Sequence, residues 1–484
     1  MVLSKNNRQI IAFLGITLAI LGISMFLPLL MGLYDGERRA LAFGGIGLLG
    51  LLAGGAFHRR FRETVEMTPR SAYHLVILVW LMACLYGALP YLFFDGAPNF
   101  SRAFFESASG FTTTGATIFN DVESQSRCLL LWRSMTHWLG GMGIVVLFVA
   151  LMGFFGNSGL QMFKVETNGP LKEKVAPSVR DTAKILLRVY ICLTAIQIGG
   201  LLLAGMPLFD AVCHAFGVVA TGGFSTRDDG IAAYGTGVQA LVSFYMLFSG
   251  VNFSVYYLLL KNRSLATLRE NDELMCYFGL ILTAALICGA ALWRQGQPPL
   301  ASLRAGFFQV TSIITSTGYI AADYPSWPPV GQFILFFLPF IGACAGSTGG
   351  GIKVSRFMIL CKGIKANFTR LLHPRAVIHL RANGRQLEQS VVSNVQTFFS
   401  LYVLTFAAAS LVFSLYGFDL VTAISLTASC VNNVGSGFGI IGPAMNYGQL
   451  PAWILYFLSL LMLMGRLELY AILIVFSRDF WRES

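Results

Sequence analysis

Thr112-Thr113-Thr114-Gly115-Ala116-Thr117 is the first of four segments of this chain that overlay without gaps. The others are Ala220-Thr221-Gly222-Gly223-Phe224-Ser225, Thr315-Ser316-Thr317-Gly318-Tyr319 and Asn432-Asn433-Val434-Gly435-Ser436. Each carries one glycine in register, at 115, 223, 318 and 435, separated by 108, 95 and 117 residues. Similarity recurring at that interval points to a repeated structural unit rather than a local motif. A lone glycine of this kind reads as a packing or loop residue; four in register do not.

The surroundings of the four segments repeat as well. Each follows a short apolar stretch, near 98–111, 207–219, 301–314 and 419–431, that is too short and too polar to cross a bilayer. Long apolar segments lie at approximately 10–33, 40–56, 72–94, 128–155, 184–206, 236–260, 274–293, 330–360, 396–417 and 450–476. From residue 70 onward the order is span, short helix, loop, span, four times over, after a two-span preface. Composition agrees: of 484 residues 55% are hydrophobic and 12% charged, about half the charge of a soluble domain. With a mean hydropathy of +0.67, a soluble fold is excluded and a polytopic membrane protein expected.

The net charge of +11 would suggest nucleic acid in a soluble chain, but here it records orientation. With the N-terminus cytoplasmic, Lys and Arg concentrate on that side, in Lys5, Arg8, Arg59, Arg60, Arg62, Arg70, the segments 157–190 and 261–273, Lys353 to Arg385, Arg478 and Arg482. The opposite side receives Arg38, Arg39, Arg102, Arg127, Arg133, Arg227, Arg294 and Arg304. This asymmetry places both termini inside. Two spans per unit keep all four units the same way up, related by an axis along the membrane normal. All four glycine segments then fall on the outer side, and a fourfold array about an axis makes a pore.

Glycine has a physical role in such a pore. An ion leaving water must regain ligands, and backbone carbonyls around an axis supply them. Turning successive carbonyls inward calls for positive φ, which glycine adopts cheaply, and bare backbone lets four segments meet closely. Uncharged oxygen dipoles favour a weakly hydrated monovalent cation. The short helices direct their partly negative C-terminal ends at the same place. The expected ion-binding residues are Thr113, Thr114, Gly115, Thr221, Gly222, Gly223, Ser316, Thr317, Gly318, Asn433, Val434 and Gly435.

Two further features interrupt apolar spans. Ala345-Gly346-Ser347-Thr348-Gly349-Gly350-Gly351-Ile352-Lys353 holds three consecutive glycines, each costing up to about 1 kcal/mol in a helix, so the span should break there. It is not a phosphate loop, since Ile352 stands where Lys is required. On the residues alone it is either a hinge or gate, or a packing kink. Arg466 lies about 15 residues into the last apolar segment, where an unpartnered charge is expensive. It faces either the permeation path or a structural salt bridge, and Glu468, two residues on, is not placed to be its helical neighbour.

Other signals are weaker. The run from Ile10 to Tyr34 is too long for a signal peptide's apolar core and reads as a retained first span. Nine cysteines are scattered and read as small core residues; neither they nor the six histidines make a metal-binding pattern. Gly437-x-Gly439-x-x-Gly442 fits a dinucleotide fingerprint but lacks the βαβ context. Trp132, Trp138, Trp327 and Trp453 read as interfacial or core anchors.

Through Ser109-Gly110-Phe111-Thr112-Thr113-Thr114-Gly115, Ala220-Thr221-Gly222-Gly223-Phe224-Ser225-Thr226 and Cys430-Val431-Asn432-Asn433-Val434-Gly435-Ser436-Gly437, the chain resembles the Trk/Ktr/HKT superfamily of potassium and sodium translocation proteins. The likeness runs from about residue 70 to the end, and the two-span preface is similar to that of the bacterial Trk membrane subunit rather than the shorter Ktr type. The resemblance implies four fused span–pore-helix–span units and K+ as the transported ion, since Gly115 stands where some sodium-passing plant members have serine. It also implies that the Gly346, Ser347, Thr348, Gly349, Gly350, Gly351 and Lys353 region is a mobile intramembrane gate, with Arg466 near the pore. A homodimer, a cytosolic nucleotide-binding subunit of the TrkA type and contact with membrane lipid are the implied associations; no nucleic acid and no organic cofactor are expected.

The expected fold is therefore an all-α polytopic membrane protein with four pseudo-fourfold pore repeats after two extra transmembrane helices. The expected units are 1–70, 71–165, 166–265, 266–375 and 376–484, in a bacterial cytoplasmic (inner) membrane. A sodium-conducting or ion-coupled transporter of the same fold is the alternative. A secondary solute transporter is the less favoured alternative and would need a midplane side-chain site between broken spans rather than four loops at one depth; a membrane transferase would need a cluster of His, Asp or Glu, and none is evident.

Overall fold

The computed structural model of the chain describes residues 5–61, 68–97, 99–152, 179–264, 266–375, 378–383, 385–443 and 445–477. Most of the basic segment 157–190, together with Arg62, Arg478 and Arg482, lies outside the described residues. Six helices among the described residues are long and apolar enough to cross a membrane, and one bent pair makes a seventh. The two-span preface is a hairpin of Lys5–Ser24, continued by Phe26–Tyr34, against Leu41–Phe61. Glycines 15, 22, 47 and 54 face one another across it with no room for a side chain, the close backbone approach typical of helices packed in lipid.

The four short apolar stretches are helices: Phe100–Phe111, Leu208–Val219, Pro299–Ile314 and Leu420–Val431. Their 12 or 16 residues rise about 18–24 Å, short of a bilayer core of ~30 Å, so each stops part-way and its chain returns. Local sequence starts them. Pro207, Pro298 and Asp419 precede three of them, and the Asp419 carboxylate accepts the Thr422 N–H as an N-cap. Their C-terminal turns are completely enclosed: Ala103 to Phe111 of the first, and Ser425 to Val431 of the last, are all buried.

The spans that follow the loops hold two surprises. The break in the third unit falls where the glycines predict it, between Pro329–Ile341 and Val354–Leu372. The matching span of the second unit is also bent, by 86°, between Thr236–Ser249 and Phe253–Asn262, and that of the fourth breaks between Ala452–Arg466 and Glu468–Leu473, with Glu468 at φ +56°. Neither was expected. On the second, the Gly250 carbonyl and the Phe253 N–H released by the bend pair with the Cys344 N–H (3.1 Å) and the Gly346 carbonyl (3.2 Å) of the third unit. The partners that make the bend tolerable are some 90 residues away, so no local pattern announces it.

The basic stretch from Lys353 to Arg385 begins as the helix Val354–Leu372 and ends in a small hairpin, Arg381–Ala382 paired with Arg385–Gln386. Of the cysteines, Cys192 and Cys361 are exposed rather than in the core. Trp132 is fully buried, its indole N–H donating to the Gly87 carbonyl at 3.1 Å, whereas Trp453 is exposed.

Candidate functional site

All four short helices end in the same hydrogen-bonded cap. The residue after the last helical turn and its C-cap has positive φ: Thr113 (+53°), Thr221 (+54°), Ser316 (+57°) and Asn433 (+54°). Its N–H, and that of the next residue, turn back onto the helix: Thr113 to Gly110 and Thr114 to Ser109, Thr221 to Val218 and Gly222 to Gly217. Ser316 with Ile313, Thr317 with Ser312, Asn433 with Cys430 and Val434 with Ser429 repeat the pattern at 2.9–3.3 Å. This is a Schellman termination, in which glycine normally takes the left-handed position. Four non-glycine residues hold it here, each in a strained conformation that persists only where its surroundings enforce it. The left-handed glycine expected from sequence comes two residues later: Gly115, Gly223, Gly318 and Gly435, at φ +76° to +85°.

Those glycines close a ring. A methyl group on Gly115 would collide with the Gly222 carbonyl oxygen, one on Gly223 with that of Thr317, one on Gly318 with that of Val434, and one on Gly435 with that of Thr114. The contacts run from the first loop to the second, third, fourth and back to the first. Four carbonyls at one register position are thereby set edge to edge about one axis. All four glycines open onto a single cavity of about 160 Å³, also lined by Thr117, Phe224, Tyr319 and Asn446. Thr114, Thr221, Thr317 and Val434 are buried within the ring.

The interrupted segment of the third unit lies against the other face of this ring. The Gly350 N–H donates to Ser316 Oγ at 2.5 Å, Thr348 Oγ1 donates to the Val219 carbonyl at 3.0 Å, and Gly350 abuts the Asn432 carbonyl so closely that no side chain would fit. It therefore touches the ends of the second, third and fourth short helices. Gly342, Gly346, Gly351 and Lys353 have positive φ, and the Lys353 ammonium folds back onto the Gly349 carbonyl. Ser347 closes a turn onto the Cys344 carbonyl at 2.7 Å.

Arg466 completes the contact with the first unit. Its guanidinium, buried, donates to the Thr348 carbonyl at 2.6 Å and to the Gly140 carbonyl at 3.1 Å. Glu468 pairs instead with Arg356, at 2.6 Å. The charge that looked anomalous in the last span is a strut between the third unit's segment and the first unit's second span.

Sequence reasoning missed four groups here. Glu273, in the first turn of Asp272–Arg294, is buried, and its Oε1 accepts the N–H groups of Ala345 (2.6 Å) and Ser355 (3.2 Å), pinning both ends of the interrupted segment. Glu106, Arg133 and His137 lie beside the first two loops. A charged residue inside an apolar stretch was the available signal for Glu106 and Glu273, and it was read only at Arg466.

The family model of the TrkH cation transport proteins matches residues 44–289 and 296–483. The chain belongs to the TrkH family. The Trk system potassium uptake protein TrkH of Salmonella typhimurium is 35% identical over 98% of this chain and 99% of its own length, and TrkI of Halomonas elongata is 36% identical over 99% and 98%. The crystal structure of the potassium transporter TrkH from Vibrio parahaemolyticus superposes with a TM-score of 0.89 at 32% identity, covering 98% of this chain and 99% of that one. This TrkH-family chain is accordingly a polytopic, all-α membrane transporter and not an enzyme. Among its described residues no group of three or more His, Cys, Asp or Glu side chains could hold a metal ion.

Proposed function

We propose that the chain takes up K+ across the bacterial cytoplasmic membrane through the ring of Gly115, Gly223, Gly318 and Gly435. The observation that carries this is the cyclic packing of the four glycines on the Gly222, Thr317, Val434 and Thr114 carbonyls. Four carbonyls fixed at one level replace part of the hydration shell of a monovalent cation without a formal charge to trap it. Thr113, Thr114, Thr221, Gly222, Ser316, Thr317, Asn433 and Val434 complete the filter, and the bound ion is the cargo. The TrkH, TrkG and TrkI relatives are potassium uptake proteins, which supports K+ as that ion. Units 71–165, 166–265, 266–375 and 376–484 each supply one quarter of the pore, with 1–70 outside it.

Gly346 to Gly351, with Lys353 and Arg466, form the gate under the filter in this reading. A cytosolic nucleotide-binding subunit of the TrkA type acts on it from the side that carries both termini, and the chain works as a homodimer. The relatives' designation as parts of a Trk system supports a partner. The decisive experiment is growth rescue of bacteria lacking potassium uptake, followed by rubidium and sodium flux into liposomes holding the purified protein with its partner. Rescue with rubidium flux well above sodium flux is expected; sodium flux equal to rubidium flux would overturn the potassium reading.

The gate assignment carries its own prediction through Glu273. Losing the acceptor of two buried N–H groups costs about 1–3 kcal/mol for each group left unpaired. Glu273→Ala is therefore expected to raise rubidium leak in protein without its partner, whereas Glu273→Gln, whose amide oxygen can still accept both N–H groups, keeps the leak low. Equal leak in the two variants would show that Glu273 does not hold the gate.

A further inference from the structure

One face of the helix Arg127–Met152 carries two buried polar side chains a helical turn apart, Arg133 and His137, which the carbonyl ring does not itself require. Arg133 Nε donates to Glu106 Oε1 at 2.8 Å, and neither side chain is more than 2% exposed. The rest of the guanidinium fork reaches two loops at once: Nη2 donates to Thr117 Oγ1 of the first (3.1 Å) and Nη1 to the Ser225 carbonyl of the second (3.2 Å). Glu106 in turn accepts the Thr117 hydroxyl at 3.0 Å and the Ile118 N–H at 2.9 Å. His137 makes the same bridge one turn along. Its Nδ1–H donates to the Gly110 carbonyl at 2.8 Å, and its Nε2 accepts the Phe224 N–H at 3.1 Å. A carbonyl can only accept and an N–H only donate, so the two contacts fix a single neutral tautomer.

Both groups also hold the Phe224 ring. The guanidinium carbon lies 4.1 Å from its centroid, and the imidazole stacks on it at a centroid distance of 4.1 Å and an interplanar angle of 23°. Phe224 directly follows Gly223, so its position sets that of the ring glycine. The other junctions use neutral side chains next to the ring, Tyr319 Oη to the Phe224 carbonyl (3.0 Å), Tyr324 Oη to that of Gly437 (2.7 Å) and Asn433 Nδ2 to Thr114 Oγ1 (2.9 Å), with the half-buried Arg102 guanidinium reaching the Gly448 carbonyl (2.7 Å) farther along the fourth loop. Among the described residues only the first junction is held by a buried ion pair. Such a pair adds little stability over a well-packed apolar substitute, whereas a rigid planar fork confers geometry.

We infer that Arg133 and His137, with Glu106, are positioning residues that fix the spacing between the first and second filter loops and thereby set discrimination between monovalent cations. This rests on the filter reading above. They touch no ion; they act through Phe224 and Thr117. Lysine at 133 would keep a positive charge beside Glu106 but cannot reach Thr117 and Ser225 together.

The test is the ratio of rubidium to sodium flux into liposomes for Arg133→Lys, Phe224→Leu and, as a control on the ring itself, Gly223→Ser. Arg133→Lys is expected to lower the ratio about tenfold, equivalent to ~1.4 kcal/mol between the two ions, with rubidium flux itself little changed. A lower total flux at an unchanged ratio is what a merely structural role produces, and it overturns the proposal. If Arg133→Lys does not fold, Phe224→Leu decides in the same terms, since it removes the ring both groups hold and leaves the ion pair intact. A ratio lowered by Gly223→Ser alone sinks the clamp and leaves the filter standing; a ratio unmoved even by Gly223→Ser sinks the filter reading and the clamp with it.

Discussion

Gly115→Ser is expected to reduce the preference for rubidium over sodium by at least about tenfold, or ~1.4 kcal/mol. Two effects act together. At φ +79° an L-residue is strained by roughly 1–2 kcal/mol, and the new Cβ would occupy the place of the Gly222 carbonyl oxygen. Either the loop straightens or that carbonyl moves outward, and both widen one side of a four-membered ring. A widened ring releases its hold on the larger, weakly hydrated ion while still admitting the smaller one in hydrated form. The cyclic packing makes the expectation general: serine at Gly223, Gly318 or Gly435 displaces the carbonyl of Thr317, Val434 or Thr114 in the same way. Paired rubidium and sodium fluxes in liposomes measure it, and a ratio retained in all four variants would show that the ring does not select.

Arg466→Ala is expected to raise rubidium flux through the purified protein alone by an order of magnitude or more. The side chain donates charge-assisted hydrogen bonds to the Thr348 and Gly140 carbonyls, each worth about 1.5–3 kcal/mol. These tie the segment under the ring to a helix of a different unit, and their loss shifts the segment's equilibrium toward release. Arg466→Lys keeps the charge but spans only one of the two carbonyls, so an intermediate leak is expected. Loss of thermal stability with unchanged flux would identify Arg466 as a structural strut alone.

Much of this architecture was legible in the chain itself. The four short helices, the ring glycines and the break near Gly346 to Gly351 all declare themselves locally, because a helix too short to span, a glycine forced to positive φ and three consecutive glycines are properties of neighbouring residues. The left-handed Thr113, Thr221, Ser316 and Asn433 were not legible. Nothing in a threonine marks it for φ near +55°; the Schellman bonds and the enclosing core impose it.

The bend at Gly250 to Asn252 was hidden for a similar reason, since the hydrogen bonds that replace the lost helical ones come from Cys344 and Gly346. The charges divide along the same line. Arg466, Arg133, Glu106 and Glu273 all lie in or beside apolar segments, but the sequence reading singled out only Arg466 as a charge that must find a partner. It could not show which partner each charge takes, because Thr348 and Gly140 for Arg466, Ser225 for Arg133, and Ala345 and Ser355 for Glu273 are brought near only by the packing of segments distant in the chain. The sequence by itself determined the membrane class, the four short helices and the glycine register, all consequences of hydropathy and local backbone chemistry. Only the tertiary structure decided what each buried charge holds in place, since the pairing of a desolvated charge depends on distances between segments far apart in the chain.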